Sequence, residues 1–238
     1  MKKLILPVLL AFLFSCSKKT VPIQESTKTT AVSTTIGFTS RFTLNDKLYN
    51  KVTGEPISME EFAKIVKENP NVPLEKIYDK YGVPEKVFYH PNPPENFGKR
   101  NPELQPKVGE PFPQFVFQTI DGKEIDLENL KGKWVLVRFD FFTEVMNKED
   151  FAQLVESIDQ LPKSSKFIPI LCSMDNKENL KRDLGSLSKK IELVSDGQGF
   201  SSKYQIMRFP TTILIAPDQT LYKYLGKNEY QEIGSIIE

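Results

Sequence analysis

Between Trp134 and Cys172 the chain changes its hydrophobic period twice, and this alternation constrains the fold more than any other feature. Trp134, Val135, Leu136, Val137 and Phe139 form a short apolar run. Asn147 follows as a good helix N-cap with Asp150 three residues on. Phe151, Leu154, Val155, Ile158 and Leu161 then mark one face of a helix. The apolar run Phe167 to Cys172 closes the unit. Two apolar strands separated by a helix predict a parallel pair in one sheet, because parallel neighbours need a crossover connection of that length.

The pattern continues. Asn176 caps a helix carrying Leu180 and Leu184, with Gly185 near its end, and Ile191 to Val194 is a further strand. Thr212–Ile215 and Leu221–Leu225 flank the turn Pro217-Asp218-Gln219-Thr220, a hairpin. A terminal helix with Tyr230, Ile233, Ile236 and Ile237 ends the chain. Parallel strands with crossover helices, closed by an antiparallel hairpin, predict an α/β layer.

Upstream, Ser58 and Glu61 form a capping box, and Phe62, Ile65 and Val66 follow at helical spacing, predicting a helix over 58–69. Gly82-Val83-Pro84 reads as a hairpin turn between IYDKY and KVFY. Prolines and polar residues from Pro91 to Pro106 read as a linker. No chemical motif stands out in residues 36–107, and the aromatic residues there read as packing groups.

The N-terminus carries a different signal. Met1-Lys2-Lys3 precedes the apolar run Leu4–Phe14, which has the length of a signal-peptide core and is too short to anchor in a bilayer. Leu13-Phe14-Ser15-Cys16 resembles a bacterial lipobox, which implies cleavage before Cys16 and its acylation. Each buried methylene of the acyl chains would contribute about 0.8 kcal/mol to membrane attachment. The alternative is an ordinary cleaved signal peptide with an incidental cysteine. Residues 17–35 are rich in Ser, Thr and Lys with no apolar period, the composition of a disordered tether. Ser17 after the cysteine points to the outer membrane, facing the periplasm. The expected organisation is 1–15 signal peptide, 16–35 tether, 36–107 small extension and linker, and 108–238 main domain.

Composition excludes several function classes. The formal charge of +1 argues against nucleic acid as a main partner, because phosphate binding needs a concentrated basic face. Two cysteines and one histidine cannot assemble a common Cys/His zinc site, so no metal is expected, and no cofactor. His90 lies in the loop YHPNPP, where an exposed histidine is the plain expectation.

VGEPFPQF, DGKEIDLENLKGKWVLVRF and YQIMRFPTTILIAPDQTLY, in this order and spacing, make residues 108–238 resemble a thioredoxin-fold domain of the TlpA-like/AhpC-TSA redoxin type. The resemblance implies an α/β, thioredoxin-like fold, a mixed sheet flanked by helices, here with a small α+β N-terminal extension. It implies that the Phe209-Pro210 bond is cis and that Phe209, Pro210 and Thr211 border the groove where substrate chain binds. It also implies a W-C-x-x-C motif after the strand at 134. Glu144 and Asn147 stand at its two cysteine positions and Thr143 at its tryptophan. In a peroxiredoxin register Met146 takes the cysteine position. Neither register yields a thiol, since no cysteine lies between Cys16 and Cys172. Thiol-disulfide exchange is attack of sulfur on sulfur, which a carboxylate cannot replace.

Three readings follow. The first is a lipid-anchored, non-catalytic binding or structural module holding an envelope protein or extended peptide at the Pro210 groove. The second is a thiol-disulfide oxidoreductase or peroxiredoxin-like antioxidant protein using Cys172 as a single thiol. The third places the active part in residues 36–107. A cysteine ending a core strand reads first as a packing residue.

Overall fold

The computed structural model describes residue 44, residues 46–162 and residues 166–237. The expectations for the signal peptide, Cys16 and the tether lie outside the described residues.

The central sheet is built from β6 (Trp134–Asp140), β7 (Phe167–Ser173), β8 (Glu192–Val194), β9 (Thr211–Ile215) and β10 (Leu221–Leu225), in the order β10-β9-β6-β7-β8. β6, β7 and β8 are parallel, while β9 runs antiparallel to both β6 and β10. β6 is central, with Val135 opposite Ile168 on one side and Ile215 on the other.

Alternation along each strand sends side chains to opposite faces. Val135, Val137, Phe139, Ile170, Cys172, Ile213 and Ile215 enter one apolar cluster. That face is covered by Phe112, Phe115 and Phe117 and by α4 (Gln198–Lys203), through Phe200 and Tyr204. Leu136, Leu171, Leu193 and Leu214 point the other way. They meet α2 (Lys148–Asp159), α3 (Lys177–Leu184) and the C-terminal turn leading into α5 (Ile233–Ile237). Leu154 of α2 and Leu180 of α3 are buried there, each worth about 1.5–3 kcal/mol against exposure. This mixed sheet, flanked by helices, is the thioredoxin-like fold. The Phe209-Pro210 bond is cis.

α2 begins where its sequence says it should. The Asn147 side chain accepts from the Asp150 amide at 3.0 Å, satisfying one otherwise orphaned donor. Asn176 does the same for α3 at 2.9 Å.

In the N-terminal part, β1 (Leu48–Asn50), β2 (Leu74–Tyr78) and β3 (Pro84–Tyr89) form a sheet in the order β1-β3-β2. α1 (Met59–Glu68), capped by Ser58, packs Phe62 against Leu48 and Val87. The β2–β3 hairpin rests on α4, with the Gly82 backbone against Gly199. A Cβ at Gly199 would overlap the Gly82 carbonyl oxygen, so two glycines permit this approach. The proline-rich stretch runs beside the same helix. Arg100 donates to the Ser201 carbonyl at 3.0 Å, and Gln105 donates to the Gln205 carbonyl at 2.7 Å.

β4 (Val116–Gln118) and β5 (Glu124–Asp126) complete the strands as a two-stranded ribbon around the Asp121-Gly122 turn. His90 corrects the expectation of an exposed loop histidine. Its ring is partly buried, lies 4.7 Å from that of Phe97, and contacts the Glu75 carboxylate at 2.7 Å. Lys51, 2.8 Å from the same carboxylate, and His90 bring the Glu75 pKa below its ordinary value against the opposing effect of burial.

Candidate functional site

The site implied by the resemblance lies where β6 ends. Asp140 is buried, and the chain then turns outward through Phe141 and Phe142 into a single 3-10 turn, Thr143–Val145. Thr143 anchors this loop. Its amide donates to Asp175 Oδ2 and its hydroxyl to Asp183 Oδ2, both at 2.7 Å. The Met174 amide donates to the Phe141 carbonyl at 2.9 Å. Arg182 and the Thr143 hydroxyl hold the Asp183 pKa below its ordinary value.

Glu144 and Asn147 are both exposed. Asn147 caps α2 and Glu144 projects from the turn, and neither carries sulfur. Among the described residues, no group of three His, Cys, Asp or Glu side chains could hold a metal ion.

The Pro210 segment lies beside the loop. The rings of Phe141 and Phe209 are 5.6 Å apart, and those of Phe141 and Phe142 are 4.4 Å apart. Phe141 is 41% exposed and Met207 48% exposed, while Phe209 is half-buried and Pro210 exposed. The Thr211 hydroxyl donates to the Arg208 carbonyl at 2.6 Å, fixing the turn. The structure therefore brings Phe209, Pro210 and Thr211 together with two aromatic residues that sequence reasoning missed. The available signal was FDFF, where the apolar run continues past the strand.

Cys172 is elsewhere. It lies in the apolar cluster on the α4 face, 1% exposed, as a free thiol. Burial, with a smaller contribution from the Asp196 charge, pushes its pKa well above the ordinary thiol range. A Cβ added to Gly197 would sit 2.6 Å from its sulfur, so the thiol is tightly enclosed.

A second unpredicted feature lies behind the loop. Arg138, 1% exposed, is a charged residue in the middle of β6. It donates to Asp140 at 2.5 Å, to Asp150 at 2.7 Å and to the Tyr230 hydroxyl at 2.9 Å. Its guanidinium also stacks 5.5 Å from the Phe151 ring centre. Burial lowers the arginine pKa, but the carboxylates outweigh it and the net shift is upward. Asp140 is shifted upward too, first by burial and then by the nearby Asp150 charge, with Arg138 opposing. One cation between two carboxylates ties β6, the first turn of α2 and the C-terminal turn together.

Residues 108–224, a little under half of the chain, match the AhpC/TSA family. No curated protein matches. Among solved structures, the thioredoxin domain of a thiol-disulfide oxidoreductase from Bacteroides vulgatus is similar at 22% identity. It has a TM-score of 0.48 and covers 56% of this chain and 99% of that one. A thiol:disulfide interchange protein from Bacteroides sp. has 22% identity and a TM-score of 0.48, covering 56% and 91%. A thiol-disulfide oxidoreductase from Bacteroides fragilis has 18% identity and a TM-score of 0.43, covering 51% and 93%.

Proposed function

We propose that this protein is a non-catalytic member of the redoxin group that binds an extended peptide or an envelope protein across the face formed by Phe141, Phe209 and Pro210. The observation that carries the reading is the contact of the exposed Phe141 ring with the half-buried Phe209 ring beside Pro210, next to a loop with no sulfur nucleophile. Backbone pairing and aromatic packing need no thiol. The loop is held at Thr143 by two carboxylates, which presents a preformed surface to a partner.

Attachment to the bacterial envelope through an acylated Cys16 belongs to the same proposal, with the outer membrane's periplasmic face as its site. The lipobox-like sequence supports it. Among the described residues no helix is long and apolar enough to cross a membrane.

Crosslinking pull-down from intact envelopes tests the binding face. Phe209→Ser and Phe141→Ser are expected to lose partners that the unaltered chain retains. Equal recovery would remove the face from the reading. Cys16→Ser is expected to move the protein from the membrane to the soluble fraction. Turnover in a reductant-dependent disulfide assay, abolished by Cys172→Ala, would instead establish the single-thiol enzyme.

A further inference from the structure

α2 and the end of α3 leave a half-open cleft between them, on the helical side of the loop. Its volume is about 1000 Å³, at the upper end of the range for small-molecule sites. Phe151, Val155, Leu184 and Leu187 supply apolar walls, with Met146 of the loop beside them. Phe151 is buried, whereas the other four keep part of their surface exposed. The Thr143–Asp183 hydrogen bond joins the loop to α3 at the cleft wall.

The charges around these walls are unequal. Four carboxylates and two cations line the cleft. Arg182 is held on Asp183 at 2.7 Å, and Lys190, from outside the cleft, is held on Asp159 at 2.7 Å. The Glu144 charge also acts on Arg182 and the Lys148 charge on Asp183, so at the loop end two cations face two carboxylates, while Glu156 has no ion-pair partner among the described residues. Lys148 and Glu156 stand eight residues apart on α2, about 12 Å along its axis at 1.5 Å per residue. The cleft thus has an apolar middle and, with Asp159 held by Lys190, an uncompensated carboxylate at Glu156.

We infer that the α2–α3 cleft binds a small amphipathic cation, with an apolar body against Val155, Leu184 and Leu187 and its positive head at Glu156. The apolar walls favour a ligand that removes them from water. The unpaired carboxylate selects its charge, because an anion against Val155 and Leu187 would meet Glu156 with no cation paired to it. This site is separate from the Pro210 face and does not depend on peptide binding there.

Isothermal titration of the full chain with decyltrimethylammonium, and in parallel with decyl sulfate, tests the inference. Both are kept below micelle-forming concentrations, with circular dichroism checking that the fold persists. One saturable site is expected for the cation, about fivefold or more tighter than for the anion. That ratio corresponds to about 1 kcal/mol for a partly exposed charge pair. Glu156→Gln, at an exposed position, should weaken cation binding about fivefold. Ala152→Trp, which places a large ring in the cleft, should abolish it. The inference is overturned by non-saturable binding, by decyl sulfate binding as tightly, or by Glu156→Gln leaving the affinity unchanged. If Ala152→Trp fails to fold, the Glu156→Gln comparison decides alone.

Discussion

Replacing Arg138 by methionine keeps a long apolar stem beside Phe151 but removes the cation that lies between Asp140 and Asp150. Side-chain exposures of 1%, 4% and 6% for Arg138, Asp140 and Asp150 leave little room for water to take its place. Breaking a buried pair from one side costs about 3–5 kcal/mol, mainly because the orphaned charge stays desolvated. Here two carboxylates are orphaned, so the upper part of that range is expected at pH 7. That is a large share of the roughly 5–15 kcal/mol by which domains are stable. The pH dependence separates this cause from simple loss of packing. Asp140 already has a raised pKa in the folded protein, and removing Arg138 takes away the group that opposes the shift. A carboxyl whose folded pKa exceeds its unfolded value contributes full stability below the unfolded pKa and loses it as pH rises through the folded pKa. The deficit of Arg138→Met should therefore shrink as pH falls from 7 toward about 4, the unfolded aspartate range. Urea unfolding at several pH values measures it. Adding Asp140→Asn and Asp150→Asn to the variant should recover most of the loss at pH 7. A cost below about 1 kcal/mol at pH 7, or a deficit independent of pH, would refute the reasoning.

Cys172 should resist an aromatic disulfide probe in the native protein from pH 7 to 9 and react at once after denaturation, since burial both encloses the thiol and raises its pKa. Prompt native labelling would contradict the enclosure. Gly199→Ala should cost about 1–3 kcal/mol and increase protease cleavage in the Asp79–Pro84 turn, because the new methyl pushes the hairpin off α4; unchanged cleavage would show that the two backbones are not in contact. Thr143→Val keeps the amide bond to Asp175 and removes the hydroxyl bond to Asp183. It should lower stability by about 1 kcal/mol and raise the Asp183 pKa, measured by carboxyl NMR titration.

Much of the fold could be read in the sequence because local signals agreed with tertiary demands. Asn147 and Asn176 cap the helices they were expected to cap, and the run Phe167–Cys172 pairs with β6 in parallel. α4 escaped notice because QGFSSK carries a glycine and two serines and has no side-chain cap; burial of Phe200 and Tyr204 holds it instead. Arg138 escaped for a related reason. A strand buried on both faces is recognised by its apolar run, and one arginine inside it reads as an interruption until Asp150 and Tyr230, from distant segments, are seen to meet it. The Pro210 segment was legible only through resemblance. Its aromatic companions Phe141 and Phe142 belong to a loop whose path no periodicity specifies.

The parallel pairing of β1 with β3 has a mechanical consequence. Leu48, Tyr49 and Asn50 lie in register with Val87, Phe88 and Tyr89. On its other side β1 exchanges bonds with the following turn, Ile57 to Leu48 and Asn50 to Glu55, each at 2.8 Å. A load applied at residue 44 enters β1 at its N-terminal end and leaves β3 at its C-terminal end, toward Arg100 and its hold on α4. In a parallel pair these are opposite ends, so the hydrogen bonds are sheared together and cannot be unzipped one at a time. A protein held from its N-terminal side would thus load this small sheet in shear, the geometry in which its hydrogen bonds resist together.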